Sequence, residues 1–232
     1  RKTNNISFQD VKISVGVQKM VRSDLGSAGV SFSIDPETGY NKAIVINSAF
    51  GLGELVVSGG VKPDEFILDK RILDLKEKDP ILSSECGEKL TKIVYSDNGI
   101  KEISCGKNEK KTLSLTQNQA IQLARWVKLL EKEYSDLFNK KMGVDVEWAL
   151  DGIDNKIYII QTRPETVHNN KTNVLKKYKL LERGEKLITG VAVGEKISTG
   201  KIKNLKDISE FKRFCENDIL VTSMTTPDWE PL

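Results

Sequence analysis

Histidine is nearly absent from this chain: one residue, His168, in 232. Chemistry that needs an imidazole base, a zinc-bound imidazole or a phosphorylated histidine must use that residue or find one elsewhere. Cysteine is almost as scarce. Cys86, Cys105 and Cys215 are widely spaced, odd in number and form no C-x-x-C pair, so neither a disulfide framework nor a zinc site is indicated. A reducing, cytoplasmic setting is the expectation that follows. No apolar run approaches the roughly 20 residues that span a bilayer, and no signal peptide opens the sequence, so no membrane partner is expected. An excess of one charge is missing too. Thirty-six basic residues face thirty-three acidic ones, a net charge of +3, which is too balanced to argue for nucleic acid.

What is present suffices for one large domain or two small ones. The sequence starts at Arg1 and stops at Leu232 directly after the turn-like Thr225-Thr226-Pro227-Asp228-Trp229-Glu230, and both ends read as cuts within a longer chain. The first third is sheet-like. Val11 to Val21, Ala28 to Ile34, Lys42 to Ser48 and Asp64 to Asp69 are β-rich runs separated by Gly- and Pro-containing turns. Leu90 to Tyr95 and Ile100 to Cys105 predict a hairpin around Asp97-Asn98-Gly99. Thr116 to Phe138 predicts a helix: Thr116 caps it with Gln119 at capping-box spacing, and Ala120, Leu123, Ala124, Val127, Leu130 and Leu137 recur at helical intervals. Gly143 then releases the chain. Residues 169–183 are polar and lysine-rich and read as a linker. From Gly184 short strands (Leu187 to Val193, Lys196 to Ile202, Ile219 to Thr222) and an amphipathic piece with Ile208, Phe211 and Phe214 open a second domain.

Between Val144 and Arg163 the sequence reads as a second hairpin, with Asp151 to Asn155 as its turn. Pairing Leu150 with Lys156 sets Glu147 opposite Ile159 and Asp145 opposite Gln161. Side chains alternate along a strand, and paired residues share a face. Val144, Val146, Trp148, Leu150, Tyr158 and Ile160 then form a core face, while Asp145, Glu147, Gln161 and Arg163 form a polar patch. Two carboxylates, an amide oxygen and a guanidinium suit a divalent cation and the phosphates it bridges. Ordinary cross-strand charge pairing accounts for the same residues equally well.

Weaker signals lie upstream. Gly51-Leu52-Gly53-Glu54 follows a strand, and its glycines let the backbone approach a ligand, with Glu54 directed to a ribose, a metal or a basic neighbour. The full GxGxxG pattern and a Walker A lysine are both absent. Gln18-Lys19-Met20-Val21, at a strand end, can line an adenine slot, or Met20 can be a core residue. Arg22 to Gly29 is either a phosphate-contacting loop or a flexible turn.

Several segments occur together in one order: Val17 to Val21, Gly29 to Ser33, Asp35-Pro36-Glu37-Thr38-Gly39, Gly51 to Gly59, Pro63-Asp64-Glu65-Phe66, Asp145 to Ala149 and Gln161 to Val167. They resemble the phosphoenolpyruvate synthase (pyruvate, water dikinase) family, in the later part of its ATP-grasp domain. Leu187-Ile188-Thr189-Gly190 and Asp218 to Pro231 resemble the start of that family's swivelling phosphohistidine domain. The resemblance implies an α/β (α+β) fold, a mixed or antiparallel sheet plus helix, with residues 1–168 in the ATP-grasp portion and 184–232 in an incomplete mobile domain. It implies ATP as substrate with Mg²⁺, phosphorylation of a histidine, and transfer to pyruvate bound in another domain of a homo-oligomeric parent. On matching positions, Glu147 and Gln161 would hold Mg²⁺ and phosphate, Arg163 would act catalytically on phosphoryl charge, and Glu54, Asp145, Gln18 and Met20 would serve the nucleotide. The family's acceptor histidine lies in a Gly-Gly-x-Thr-x-His segment absent here, and His168 does not match it. Pyruvate phosphate dikinase and rifampicin phosphotransferase share the nucleotide domain. The Asp228-Trp229-Glu230-Pro231 wording favours the synthase over the first, and the short spacing after Arg163 argues against the second.

Overall fold

The computed structural model describes residues 15–75, 77–165, 181–182, 184–188, 197–223, 225 and 229. The chain divides into two units, Arg1–Lys179 and Leu180–Leu232. In chain order the first unit contains β1 (Ser27–Phe32), β2 (Ala43–Phe50), the short helix α1 (Glu54–Val57), β3 (Asp64–Asp69), β4 (Ile81–Glu85), β5 (Thr91–Ser96), β6 (Gly99–Ser104), α2 (Gln117–Leu137), β7 (Val144–Leu150) and β8 (Ile157–Pro164). Six strands make one sheet in the order β4-β3-β2-β1-β7-β8, with every neighbouring pair antiparallel. β5 and β6 form a separate hairpin, as expected, closed by Asp97-Asn98 with Ser96 opposite Gly99. An antiparallel sheet with a long helix on one face is the α/β architecture expected.

α2 begins where the capping box places it. The Thr116 hydroxyl accepts from the Gln119 amide, and the Gln119 side chain accepts from the Thr116 amide at 2.9 Å. Ala120, Leu123, Ala124 and Val127 are fully buried against Ile44, Ile46, Phe66, Leu68, Val144, Val146 and Trp148. The helix packs on the middle of the sheet, and β1 turns only small residues toward it: Ser27, Gly29 and Ser31, all buried, followed by buried Ser33 just past the strand's end. Lys70, at the end of β3, ties the layers together. Its ammonium donates to the Ser33 carbonyl and to both Glu131 carboxylate oxygens, at 2.8 and 2.7 Å. The helix ends at Leu137 with Phe138 as its cap, as expected, and Asn139 turns the chain away at φ 47°; Leu137, expected in the apolar stripe, is largely exposed.

Of the strand expected over Val11 to Val21, residues 11–14 lie outside the described residues, and residues 15–21 form no strand and are mostly exposed, Gln18 and Met20 among them. β4 gave little sequence signal because, as an edge strand, it buries no residue fully.

In the second unit, β9 (Lys201–Asn204) and β10 (Asp218–Val221) pair in parallel through a 3-10 helix at Ile208–Arg213. β9 starts five residues later than the predicted strand because its pairing is fixed at Gly200. A Cβ there would lie 2.0 Å from the Asn217 carbonyl oxygen, so the chain reaches the parallel register only with glycine. Leu187 and Ile188 are not in a strand, and the rest of that run lies outside the described residues. No helix among the described residues is long and apolar enough to cross a membrane.

The packing of α2 predicts that Leu123→Ala, which empties a fully buried position, destabilises the first unit by about 3 kcal/mol. Urea denaturation measures it; a loss under about 1 kcal/mol would show that α2 does not hold the sheet.

Candidate functional site

The β7–β8 hairpin closes on Asp151. Its amide donates to the Lys156 carbonyl at 2.9 Å, its carboxylate accepts from the Ile153 amide at 2.8 Å, and Asn155 takes φ 56°. Leu150 therefore pairs with Ile157, one residue beyond the expected partner. A bulge between Glu147 and Trp148 then adds a second residue of shift, so that Glu147 faces Gln161 and Asp145 faces Arg163. Two shifts of one residue restore strand parity. Asp145, Glu147, Gln161 and Arg163 share one face as expected, while every individual pairing differs. Between the turn and the bulge, parity is inverted. Ile157 is buried and Ile159 packs on the core, so Tyr158 and Ile160 leave the core face they were expected to occupy.

Arg163 bonds Glu147 by one contact, Nη2 to Oε1 at 3.2 Å, with the two side chains 59% and 29% exposed. A pair this open is worth under about 1 kcal/mol and exchanges readily for another partner. Behind it lies a cleft of about 510 Å³, lined among others by Gln18, Met20, Glu54, Glu147, Ala149 and Ile160. The structure thus brings four predicted residues to one cleft. Gln161, Asp145 and Arg163 are not among its lining: Gln161 sits opposite Glu147, and Asp145 and Arg163 pair two residues further along the same face. Sequence reasoning missed Ile160, Ala149 and Val57, which supply apolar lining. Ile160 was legible only with knowledge of the bulge.

The two upstream motifs play different parts from those expected. Gly51, at φ 88°, approaches protein and not ligand: a Cβ would lie 2.6 Å from the Ile93 carbonyl oxygen, which accepts from the Leu52 amide at 2.9 Å. The glycine lets β5 lock the loop that leads into Glu54 and α1. Arg22 is engaged in structure. It makes two bonds to Asp24, at 2.8 and 2.9 Å, and lies 5.8 Å from the Tyr95 ring centroid, while its amide donates to Asp151 at 3.0 Å. The guanidinium hydrogen bonds hold Asp24 below the usual carboxylate range. Ser23 and Asp24 are buried in a 3-10 turn, which does not fit a flexible turn, and Ser23 lines the cleft.

For a divalent cation the donor set is partial. Among the described residues no group of three or more His, Cys, Asp or Glu side chains could enclose a metal. Glu147 and Gln161, paired across the strands, offer hard oxygen donors of the kind that fits Mg²⁺, which takes one or two protein oxygens and fills its sphere with phosphate and water.

Along the same face the row continues from Glu147 through Val30 and Asn47 to Glu65 and then Glu85. Burial, and secondarily the Glu85 carboxylate opposite, push the Glu65 carboxyl above its ordinary 4.5.

Residues 1–183 match the family described as "Pyruvate phosphate dikinase, AMP/ATP-binding domain". The chain is 45% identical over 230 residues to a phosphoenolpyruvate synthase of Aquifex aeolicus, covering 96% of this chain and 27% of that protein. It is 41% identical over 236 residues to one from Synechocystis, with 100% and 29% covered, and 42% identical over 242 residues to one from Helicobacter pylori, with 100% and 30% covered. The chain spans less than a third of the length of these curated relatives.

The raised Glu65 carboxyl has a signed consequence. A group whose pKa rises on folding contributes stability below its unfolded value and loses it as pH rises through the folded value. Glu65→Gln should therefore be more stable than the parent near neutral pH, with the gain disappearing below about pH 4.3. Denaturant titrations at the two pH values measure this, and an equal difference at both removes the effect.

Proposed function

The chain belongs to the family of the pyruvate phosphate dikinase AMP/ATP-binding domain, and from that premise we propose that its first unit supplies one wall of the Mg-ATP site of a phosphoenolpyruvate synthase. The whole enzyme would convert ATP, pyruvate and water to AMP, phosphoenolpyruvate and phosphate through a phosphohistidine. In this reading residues 1–168 are the nucleotide portion, 169–183 the linker and 184–232 the start of the mobile domain. Support for a synthase over a dikinase or a drug phosphotransferase comes from the names of the relatives above.

The observation that carries the reading is Glu147, which lines the cleft, faces Gln161 across the strands and is bonded by Arg163. Phosphoryl transfer depends mainly on positioning and charge neutralisation, and this face provides both. Glu147 and Gln161 would hold Mg²⁺, which when bound neutralises phosphate charge. Arg163, released from its open contact with Glu147, stabilises charge on the transferring group. Asp145, its cross-strand partner, sets where the guanidinium rests. The apolar lining of Met20, Val57 and Ile160 suits a flat base, with Gln18 and Glu54 as polar neighbours.

These 232 residues alone are expected to form no AMP from ATP in the presence of pyruvate. In the whole enzyme, Glu147→Gln and Arg163→Ala should each cut ATP-dependent self-phosphorylation on the order of a hundredfold or more. Labelling with γ- and β-labelled ATP measures it; unchanged labelling in both variants would remove these residues from the site, and AMP formation by the chain alone would overturn the division of labour.

A further inference from the structure

Away from the cleft, Asp64 sits fully buried at the start of β3 and accepts four hydrogen bonds. Gly87 donates its amide at 2.9 Å, and Ser114 donates its amide and its hydroxyl at 2.7 Å each. The fourth donor is the Lys89 ammonium, which is also fully buried. Lys89 has three N–H bonds to give, and all are directed. One goes to Asp64, one to the Gly87 carbonyl at 3.1 Å, and one to the Cys86 sulfur at 3.2 Å. Cys86 itself is free and exposed.

The contact joins a nucleophilic sulfur that solvent reaches to a nitrogen that solvent does not. The nitrogen already touches that sulfur.

We propose that Cys86 and Lys89 form a reversible oxidative cross-link, a sulfenamide, when the protein meets a hydroperoxide. In the first step the Cys86 sulfur attacks one peroxide oxygen. The S–O bond forms, the O–O bond breaks, and water leaves, giving a sulfenic acid. In the second step Lys89 Nζ passes one proton to the sulfenic oxygen and attacks that sulfur. The S–N bond forms, the S–O bond breaks, a second water leaves, and the remaining excess proton on nitrogen departs to solvent. Sulfur loses two electrons and the peroxide is reduced to two waters. A thiol reductant reverses the link by attacking sulfur and expelling the amine. Amine capture also stops sulfur from climbing to the irreversible sulfinic acid.

The test treats the full chain with hydrogen peroxide and maps peptides by mass spectrometry. The expected product joins the Cys86 and Lys89 peptides with the loss of two hydrogens, resists tryptic cleavage at Lys89, and returns to the parent mass with dithiothreitol. Exposed Cys215 is the internal control for general thiol oxidation. Cys86→Ser should abolish the link while leaving thermal unfolding unchanged, since the position is on the surface. Oxygen added at Cys86 without a link to Lys89 overturns the proposal, as does a disulfide from Cys86 to another cysteine, or an unmodified Cys86 beside an oxidised Cys215.

Discussion

Everything on the functional face depends on the two-residue period of β7. Seven residues do two incompatible jobs because the strand turns alternate side chains to opposite sides. Val144, Val146 and Trp148 are buried beneath α2, and the residues between them, Asp145 and Glu147, cannot then point anywhere but the opposite face. The hydrophobic layer is therefore what aims the carboxylates. β1 on one side and β8 on the other hold the strand in antiparallel register, and the small residues of β1 let the helix come close enough to make the layer dry.

The site was legible in the sequence to the extent that it rests on parity, and illegible where it rests on geometry. Asp145, Glu147, Gln161 and Arg163 could be grouped because any even shift of register keeps them together. Tyr158 and Ile160 could not be assigned, since a bulge leaves no mark in composition and inverts the faces only between itself and the turn. The α2 capping box and buried stripe were readable from local spacing alone. Its end, expected at Phe138, lies at Leu137 with Phe138 as the cap. β4 and residues 15–21 fail for opposite reasons. The first is a strand held by backbone pairing with little burial, and the second is an alternating run that finds no partner strand among the described residues. Gly51 carries a wider lesson: a glycine that permits close approach does not say what approaches, and here it is β5.

The polar groups of the first unit divide by exposure in a way that matches their tasks. Lys89 with Asp64, and Lys70 with Glu131, are buried or nearly so and join segments distant in sequence. Removing one partner of such a pair leaves a charge without water or counter-ion, so they act as fixed ties. Arg163 with Glu147 is open to solvent and held by a single contact. In the proposed site that weakness would let a phosphate and a cation replace it, while the layer beneath would keep both side chains near their positions.

The bulge at Ile160 also bears on how this hairpin can change length. Loss of that one residue from β8 would regularise the ladder and leave every remaining pairing and face as it is, because Ile159 opposite Trp148 would then alternate directly with Gln161 opposite Glu147. What would go is the apolar side chain that the extra residue adds to the cleft. The bulge thus furnishes the cleft without deciding which way any of its neighbours points.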